Sequence, residues 1–427
     1  MAKKLLHVVF YGIISLCFIP ETGAQTGKAF AIRQFPDYPS PPTINNTFDI
    51  SAGSLLSEDQ ESISFIQSKL KHGEIIIEYV IIDTLMVIIS LSTYEKRSYL
   101  KSVNNNFWKI LKAYRKELKV AGIANMVSIS KKMYAMFISP LKNILEGKTR
   151  LIIITGRDLS GIPFESFITD EGIPAGDGFV SQHYLIQDFE IIYHYSAKQW
   201  ATSFPVTNVF QTSPQSQPEI DFAGFSPVYF NCRQINPLPA TRNELNKIVS
   251  MFGHKGLSTR IAFGEQSRKN LFLELACNSK VIHLATHNNP YFNKAEPGGI
   301  LFWEYEPASR HNNLPEGILT MKEICRLRLK ADLVVLSSCA SGFGKKVGKS
   351  GLSSLPMGFL YAGAKNILAT LWNVSDSNAG MFMVSFYRKW LSGKTYSQAL
   401  REVKLDMIAC RETALPTLWA AWVLIGK

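Results

Sequence analysis

A thiol and an imidazole stand at the ends of two apolar runs, Val281-Ile-His-Leu-Ala-Thr-His287 and Asp332-Leu-Val-Val-Leu-Ser-Ser-Cys339. A free thiol, with a pKa of about 8.5, is only a few per cent thiolate at neutral pH. An imidazole that accepts its proton makes it a nucleophile and afterwards returns the proton to a departing amine. That is acyl transfer through a thioester, with backbone N–H groups near Asn288 and Cys339 to hold the oxyanion. The geometry it requires is two neighbouring strands of a parallel sheet. Their axes lie about 4.8 Å apart, and reacting groups gather outside their carboxyl ends. The 52 positions from His287 to Cys339 leave room for one crossover helix. On residue types alone, burial of both groups in the core is the competing reading.

Two other chemistries fit less well. His283 and His287 do not make a metal pair, because four residues along a strand span about 13 Å and shared ligation at this spacing needs a helix. Gly342-Phe-Gly-Lys-Lys-Val-Gly-Lys-Ser350 ends like a phosphate loop, but a phosphate loop has four residues between its glycines. Here five separate Gly342 from Gly348, and three separate Gly344 from it. A basic loop beside the site is the better account. No metal and no cofactor is implied. Trp419 and Trp422, three apart in an apolar run, read as core.

The residues around the thiol and imidazole carry more. His283-Leu-Ala-Thr-His287, Leu336-Ser-Ser-Cys-Ala-Ser-Gly342, Gly351-Leu-Ser-Ser-Leu-Pro-Met-Gly-Phe-Leu-Tyr-Ala-Gly-Ala364 and Leu371-Trp-Asn-Val-Ser-Asp376 follow one another in order. They are flanked by Ile152-Ile-Ile-Thr-Gly-Arg-Asp-Leu-Ser-Gly-Ile-Pro-Phe-Glu-Ser-Phe167, Leu238-Pro-Ala-Thr-Arg-Asn-Glu244 and Leu418-Trp-Ala-Ala-Trp-Val-Leu-Ile-Gly426. From about residue 70 to the end the chain resembles a CHAT domain, a mostly bacterial family of caspase-like cysteine peptidases in the separase, caspase and gingipain clan. The resemblance implies an endopeptidase with His287 as general base and Cys339 as nucleophile, acting on a protein substrate without a cofactor. It also implies a first half that lacks catalytic residues and supports the second.

Two positions depart from the family pattern. Asn288 stands where the family usually has Gly; if that backbone takes a positive φ, Asn is the best tolerated substitute. Ala340-Ser341-Gly342 replaces a frequent Glu-Thr-Gly, which removes an acidic side chain near the site. Asp376 resembles the acidic position with which related Arg-specific peptidases recognise a basic residue before the cut, and the competing role is N-cap of the helix that follows. The alternative function on the same fold is a dormant binding or scaffold protein that acts through, or is activated by, a separate regulatory protein. Asn288 motivates it.

The elements that must position these groups read as α/β. Strands are expected at Glu74–Tyr79, Ile81–Leu91, Leu151–Ile154, Tyr184–Gln187 and Glu190–Tyr195, with helices at Phe107–Leu118 and Met126–Leu145. Beyond these, strands Ile220–Phe225, Val281–Thr286, Leu333–Ser337 and Asn366–Trp372 alternate with helices Thr241–Phe252, Thr320–Leu329, Gly351–Tyr361 and Asn378–Leu391. Alternation of this kind makes a parallel sheet with crossover helices. Thr320 with Glu323 forms a capping box, and Gly363 follows a helix as a C-terminal cap. The expected architecture is a caspase-like parallel-sheet sandwich in tandem halves: a non-catalytic subdomain over 61–217 and a catalytic one over 218–427, parted near Phe204–Gln217.

The first residues form an export layout: Lys3 and Lys4, an apolar run from Leu5 to Ile19, then small residues ending at Ala24. The run is too short to cross a bilayer. A signal peptide over 1–24 followed by a Pro- and Ser-rich arm over 25–60 is the expectation, with a periplasmic or extracellular product that has no membrane span. Five cysteines would remain: Cys232, Cys277, Cys325, Cys339 and Cys410. The number is odd, so at least one stays free or pairs between chains in an oxidising compartment. At 427 residues, 46% hydrophobic, the chain is neither disordered nor fibrous. Its net charge of +12 is scattered rather than clustered, without interleaved aromatics, and gives no nucleic-acid footprint.

Overall fold

The structure is a computed structural model that describes residues 54–120, 123–169, 178–202, 217–293, 296–306, 316–337 and 354–427. The leader, most of the arm, nearly all of 204–217 and Cys339 lie outside the described residues.

Runs dense in Ile, Val and Leu become strands buried on both faces, as parallel sheets require. The strands are β1 (Glu74–Ile82), β2 (Leu85–Leu91), β3 (Lys96–Ser102), β4 (Arg150–Thr155), β5 (Glu190–His194), β6 (Ile220–Ser226) and β7 (Thr259–Phe263). They continue with β8 (Ser279–Leu284), β9 (Asn288–Asn293), β10 (Glu296–Leu301), β11 (Ile318–Thr320), β12 (Leu333–Leu336), β13 (Ile367–Thr370) and β14 (Trp422–Ile425). Eleven of them form one sheet in the order β3-β2-β1-β4-β5-β14-β13-β12-β8-β6-β7, and β11-β10-β9 make a smaller one. This mixed, mostly parallel sheet is the α/β class expected. β1 and β2 pair as a hairpin through a two-residue turn that interrupts the strand expected over Ile81–Leu91; in it Asp83 takes φ 51°, a conformation Asp tolerates. β14 lies parallel to β5 and antiparallel to β13. It therefore joins the β1–β5 strands to the β6–β13 strands in one sheet.

The longer helices are α1 (Gln60–Lys69), α2 (Asn105–Val120), α3 (Ile123–Phe137), α4 (Ala240–Gly253), α5 (Lys269–Ala276), α6 (Leu355–Tyr361), α7 (Asp376–Leu391) and α8 (Tyr396–Ala409). The helix expected over 126–145 breaks after Phe137, where Pro140 enters a 3-10 turn, Ser139–Leu141. Tyr184–Gln187, expected as a strand, is instead the lead-in to a helical turn, Leu185–Asp188; the Tyr184 N–H donates to Gln187 Oε1 at 2.7 Å. Four apolar or polar residues carry too little period to separate the two states, and a side-chain acceptor three residues on favours the helix. The capping box of Thr320 and Glu323 forms, but it opens only a short helix, Met321–Ile324. Gly363 sits at φ 112° directly behind α6, and a Cβ there would come within 2.6 Å of the Leu329 carbonyl oxygen. No other residue type fits that cap.

Two buried polar groups sit in the seam around β5. Glu165, in the Phe164–Ser166 turn, and Lys404, on α8, are 1% and 0% exposed and pair at 2.8 Å. Tyr193 donates its hydroxyl to the same carboxylate. On β5, burial pushes His194 down to about 4, with help from the Lys427 charge. Because this pKa is depressed in the folded chain, the unfolded chain protonates first as the pH falls. The stabilisation is complete above about 6.5 and is lost on the way down to about 4, a difference on the order of 3 kcal/mol. Urea midpoints should therefore fall more steeply from pH 7 to pH 4 in the wild type than in His194→Gln. Equal slopes would refute the assignment.

Candidate active site

β8 and β12 are parallel neighbours, with Leu284 paired to Leu336. His287 lies three residues past the first and Cys339 three residues past the second in the sequence. The Ser337 N–H donates to the Leu284 carbonyl at 3.0 Å, so the two chains are still paired at the carboxyl rim of the sheet. The adjacency needed for proton transfer between these segments is thus present, while the sulfur itself lies outside the described residues.

His287 is half-buried, and its Nε2–H donates to the Asn236 carbonyl oxygen at 2.8 Å. A carbonyl only accepts, so this bond fixes the neutral tautomer and leaves Nδ1 with the lone pair that takes a proton. The Phe230 ring lies 5.4 Å away, tilted by 37°. Both contacts come from the segment joining β6 to α4. Here Val228 is held at φ 63°, an outlier for a β-branched residue, by a 2.6 Å bond from the Leu238 N–H to its carbonyl. Thr241 Oγ1 donates to the Leu238 carbonyl at 2.5 Å and meets Ser226 Oγ at 2.6 Å, which pins the turn to the end of β6. The Leu238–Glu244 motif, carried in the sequence only by family likeness, thus frames the imidazole. Neither Phe230 nor Asn236 has a signature of its own in the sequence.

Asn288 opens β9 opposite Ile300 in extended backbone, and it is not among the residues of positive φ. The condition under which Gly would matter does not arise. The Leu301 N–H donates to the His287 carbonyl at 2.9 Å. Bonded and non-bonded pairs alternate along an antiparallel ladder, so the pair Asn288–Ile300 is a non-bonded one and the Asn288 N–H faces away from β10.

Beside His287 opens a cleft lined by Thr241, Glu244, Ser337, Thr370, Asp376 and Trp422. Asp376 is not the cap of its own helix; that role belongs to Ser375, whose hydroxyl accepts from the Asn378 N–H. Its carboxylate accepts instead from the Ala240 N–H at 2.7 Å. This caps α4, whose N-cap residue, Pro239, supplies no side-chain bond and whose first turn holds no acid. Behind the cleft, His283 is fully buried, 2.9 Å from Glu244 Oε1 and 3.1 Å from the Tyr387 hydroxyl. A histidine read only as a poor metal ligand is therefore part of a buried polar cluster.

The CHAT domain model matches residues 127–427. The chain belongs to the CHAT domain family. This CHAT chain is 35% identical over 217 residues to tetratricopeptide repeat protein 28 of Homo sapiens and 27% identical over 217 residues to that of Mus musculus. Each match covers 45% of the chain and 8% or 9% of the relative, so the CHAT chain spans less than a tenth of the length of these proteins. Among solved structures it resembles the Saccharomyces cerevisiae separase–securin complex, at TM-score 0.54 and 11% identity over 86% of this chain and 30% of that one. That likeness, together with the sheet order, makes the fold caspase-like.

Proposed function

We propose that this CHAT protein is a cysteine endopeptidase in which Cys339 is the nucleophile and His287 the base. The observation that carries the reading is the register of β8 on β12. It sets the imidazole beside the strand leading to Cys339, with Nε2–H engaged by Asn236 and Nδ1 left to accept. In this mechanism the thiol proton passes to Nδ1, and the thiolate adds to the scissile carbonyl. The resulting oxyanion is held by the Asn288 and Cys339 N–H groups. The imidazolium then protonates the leaving amine as the C–N bond breaks, and water, deprotonated by the same ring, hydrolyses the thioester. Asp376 lines the cleft and supports a preference for a basic residue before the cut. The dormant-scaffold alternative loses the motive that Asn288 gave it, since an extended backbone makes no demand for Gly.

The test is terminal-peptide mapping of proteins exposed to wild type and to Cys339→Ala. New amino termini following Arg or Lys, absent with the variant, are the expected result. Asp376→Asn should then raise KM for such sites and leave sites with neutral residues unchanged. Cleavage that persists in Cys339→Ala would overturn the assignment.

A further inference from the structure

Glu244 sits on the second turn of α4 and is 2% exposed. Its Oε1 lies 2.9 Å from His283 Nε2 and accepts from Ser337 Oγ at 3.4 Å. His283 is on β8, four residues before the base; Ser337 directly follows β12, two residues before the nucleophile. One buried carboxylate therefore touches both strands whose ends the chemistry uses. On its far side it is clamped. A Cβ added at Gly380 of α7 would stand 3.5 Å from Glu244 Cβ and 3.7 Å from Oε2, and Tyr387 of the same helix closes the other end of His283. Neither Oε2 nor His283 Nε2 has a hydrogen-bond partner, so the 2.9 Å approach of Oε1 to His283 is a charge contact and not a hydrogen bond.

Stability alone does not account for this arrangement. A buried carboxylate with an unfilled oxygen is costly, and apolar residues of similar volume pack such a site at least as well. What an apolar residue does not supply is one oxygen that accepts from Ser337 beyond β12 and stands at ion-pair distance from His283 on β8. We propose that Glu244 is a positioning residue: through His283 and Ser337 it sets the offset between the carboxyl ends of β8 and β12, and so the distance between the imidazole of His287 and the thiol of Cys339. The inference rests on the peptidase reading above.

The experiment compares Glu244→Gln and Ser337→Ala with wild type. It measures steady-state cleavage, the rate of Cys339 alkylation by iodoacetamide at pH 7, and thermal unfolding. Iodoacetamide is small and neutral and makes no use of the cleft. The amide keeps the shape but weakens the contact to His283, and the Ser337 variant cuts only the tie to β12. Each should lower kcat on the order of tenfold, with KM within about twofold, and slow alkylation by a similar factor in protein that is still folded. A merely structural role would lower the unfolding temperature and leave the alkylation rate of the folded fraction at the wild-type value, which overturns the proposal. A rise in KM confined to substrates with Arg or Lys before the cut overturns it too, by moving Glu244 into substrate recognition. Wild-type alkylation that does not depend on His287 would instead bring down the peptidase reading, and this inference with it.

Discussion

His287→Ala is expected to lower kcat by about 10²- to 10⁴-fold while KM changes little, because the ring is lost as proton acceptor and donor but not as a contact of the substrate. The geometry makes a sharper demand as well. Nε2–H is committed to the Asn236 carbonyl, so the proposed mechanism has only Nδ1 to use as base. His287→Gln can still donate an amide N–H to that carbonyl, yet has no basic atom to present on the other side, and it should be as inactive as the alanine variant. Stopped-assay kinetics on a peptide taken from a mapped site, combined with Cys339 alkylation rates, would check both variants. Retention of more than about a tenth of wild-type kcat in either would remove His287 from the chemistry.

The second large effect falls on the buried pair beside β5. Lys404→Ala should destabilise the protein by about 3–5 kcal/mol, since it leaves the Glu165 carboxylate buried without its cation. Burial already pushes the Lys404 ammonium below its ordinary pKa, with Glu165 opposing that shift. The pair is held together by its own charge. Replacing both partners, as Glu165→Leu with Lys404→Met, should recover most of the loss, because two apolar side chains of similar volume carry no desolvation cost. Urea denaturation of the two single variants and the double variant is the measurement. A double variant as unstable as the singles would mean that packing, rather than charge, is at stake. Such a loss is a sizeable share of the total stability of an ordinary domain.

The sequence made the parallel sheet legible wherever strands were short, apolar and bracketed by helical spacing. Leu151 to Ile154 and Leu333 to Leu336 have no other reading. It failed where strands have unremarkable composition. β3 reads Lys-Arg-Ser-Tyr-Leu-Lys-Ser, a charged edge strand whose lysines and arginine guard an open edge and disguise its period. β9 and β10 contain Pro297, Gly298, Gly299 and three asparagines, all poor strand formers, and they pair because the chain doubles back on itself. At the site, His287 and Asp376 stood out by type, and the structure sets both on one cleft. Glu244 and Asn236 did not. The first looks like any acid on a helix, and the second acts through its backbone, which no side-chain pattern reports. Asp376 stands in the sequence where a cap of its own helix would, yet it caps another, α4, more than a hundred residues upstream. That contact is made only in three dimensions.

The position of β14 has a consequence for how the molecule is made. Trp422–Ile425 is the last of the eleven strands to leave the ribosome, yet it occupies an interior slot with β5 on one side and β13 on the other. Until those residues emerge, the two blocks of strands each present a raw inner margin of unpaired amides and carbonyls. Assembly of the whole sheet therefore waits for β14, and a nascent chain stalled before it would hold two unsealed pieces ready to pair with the wrong neighbour.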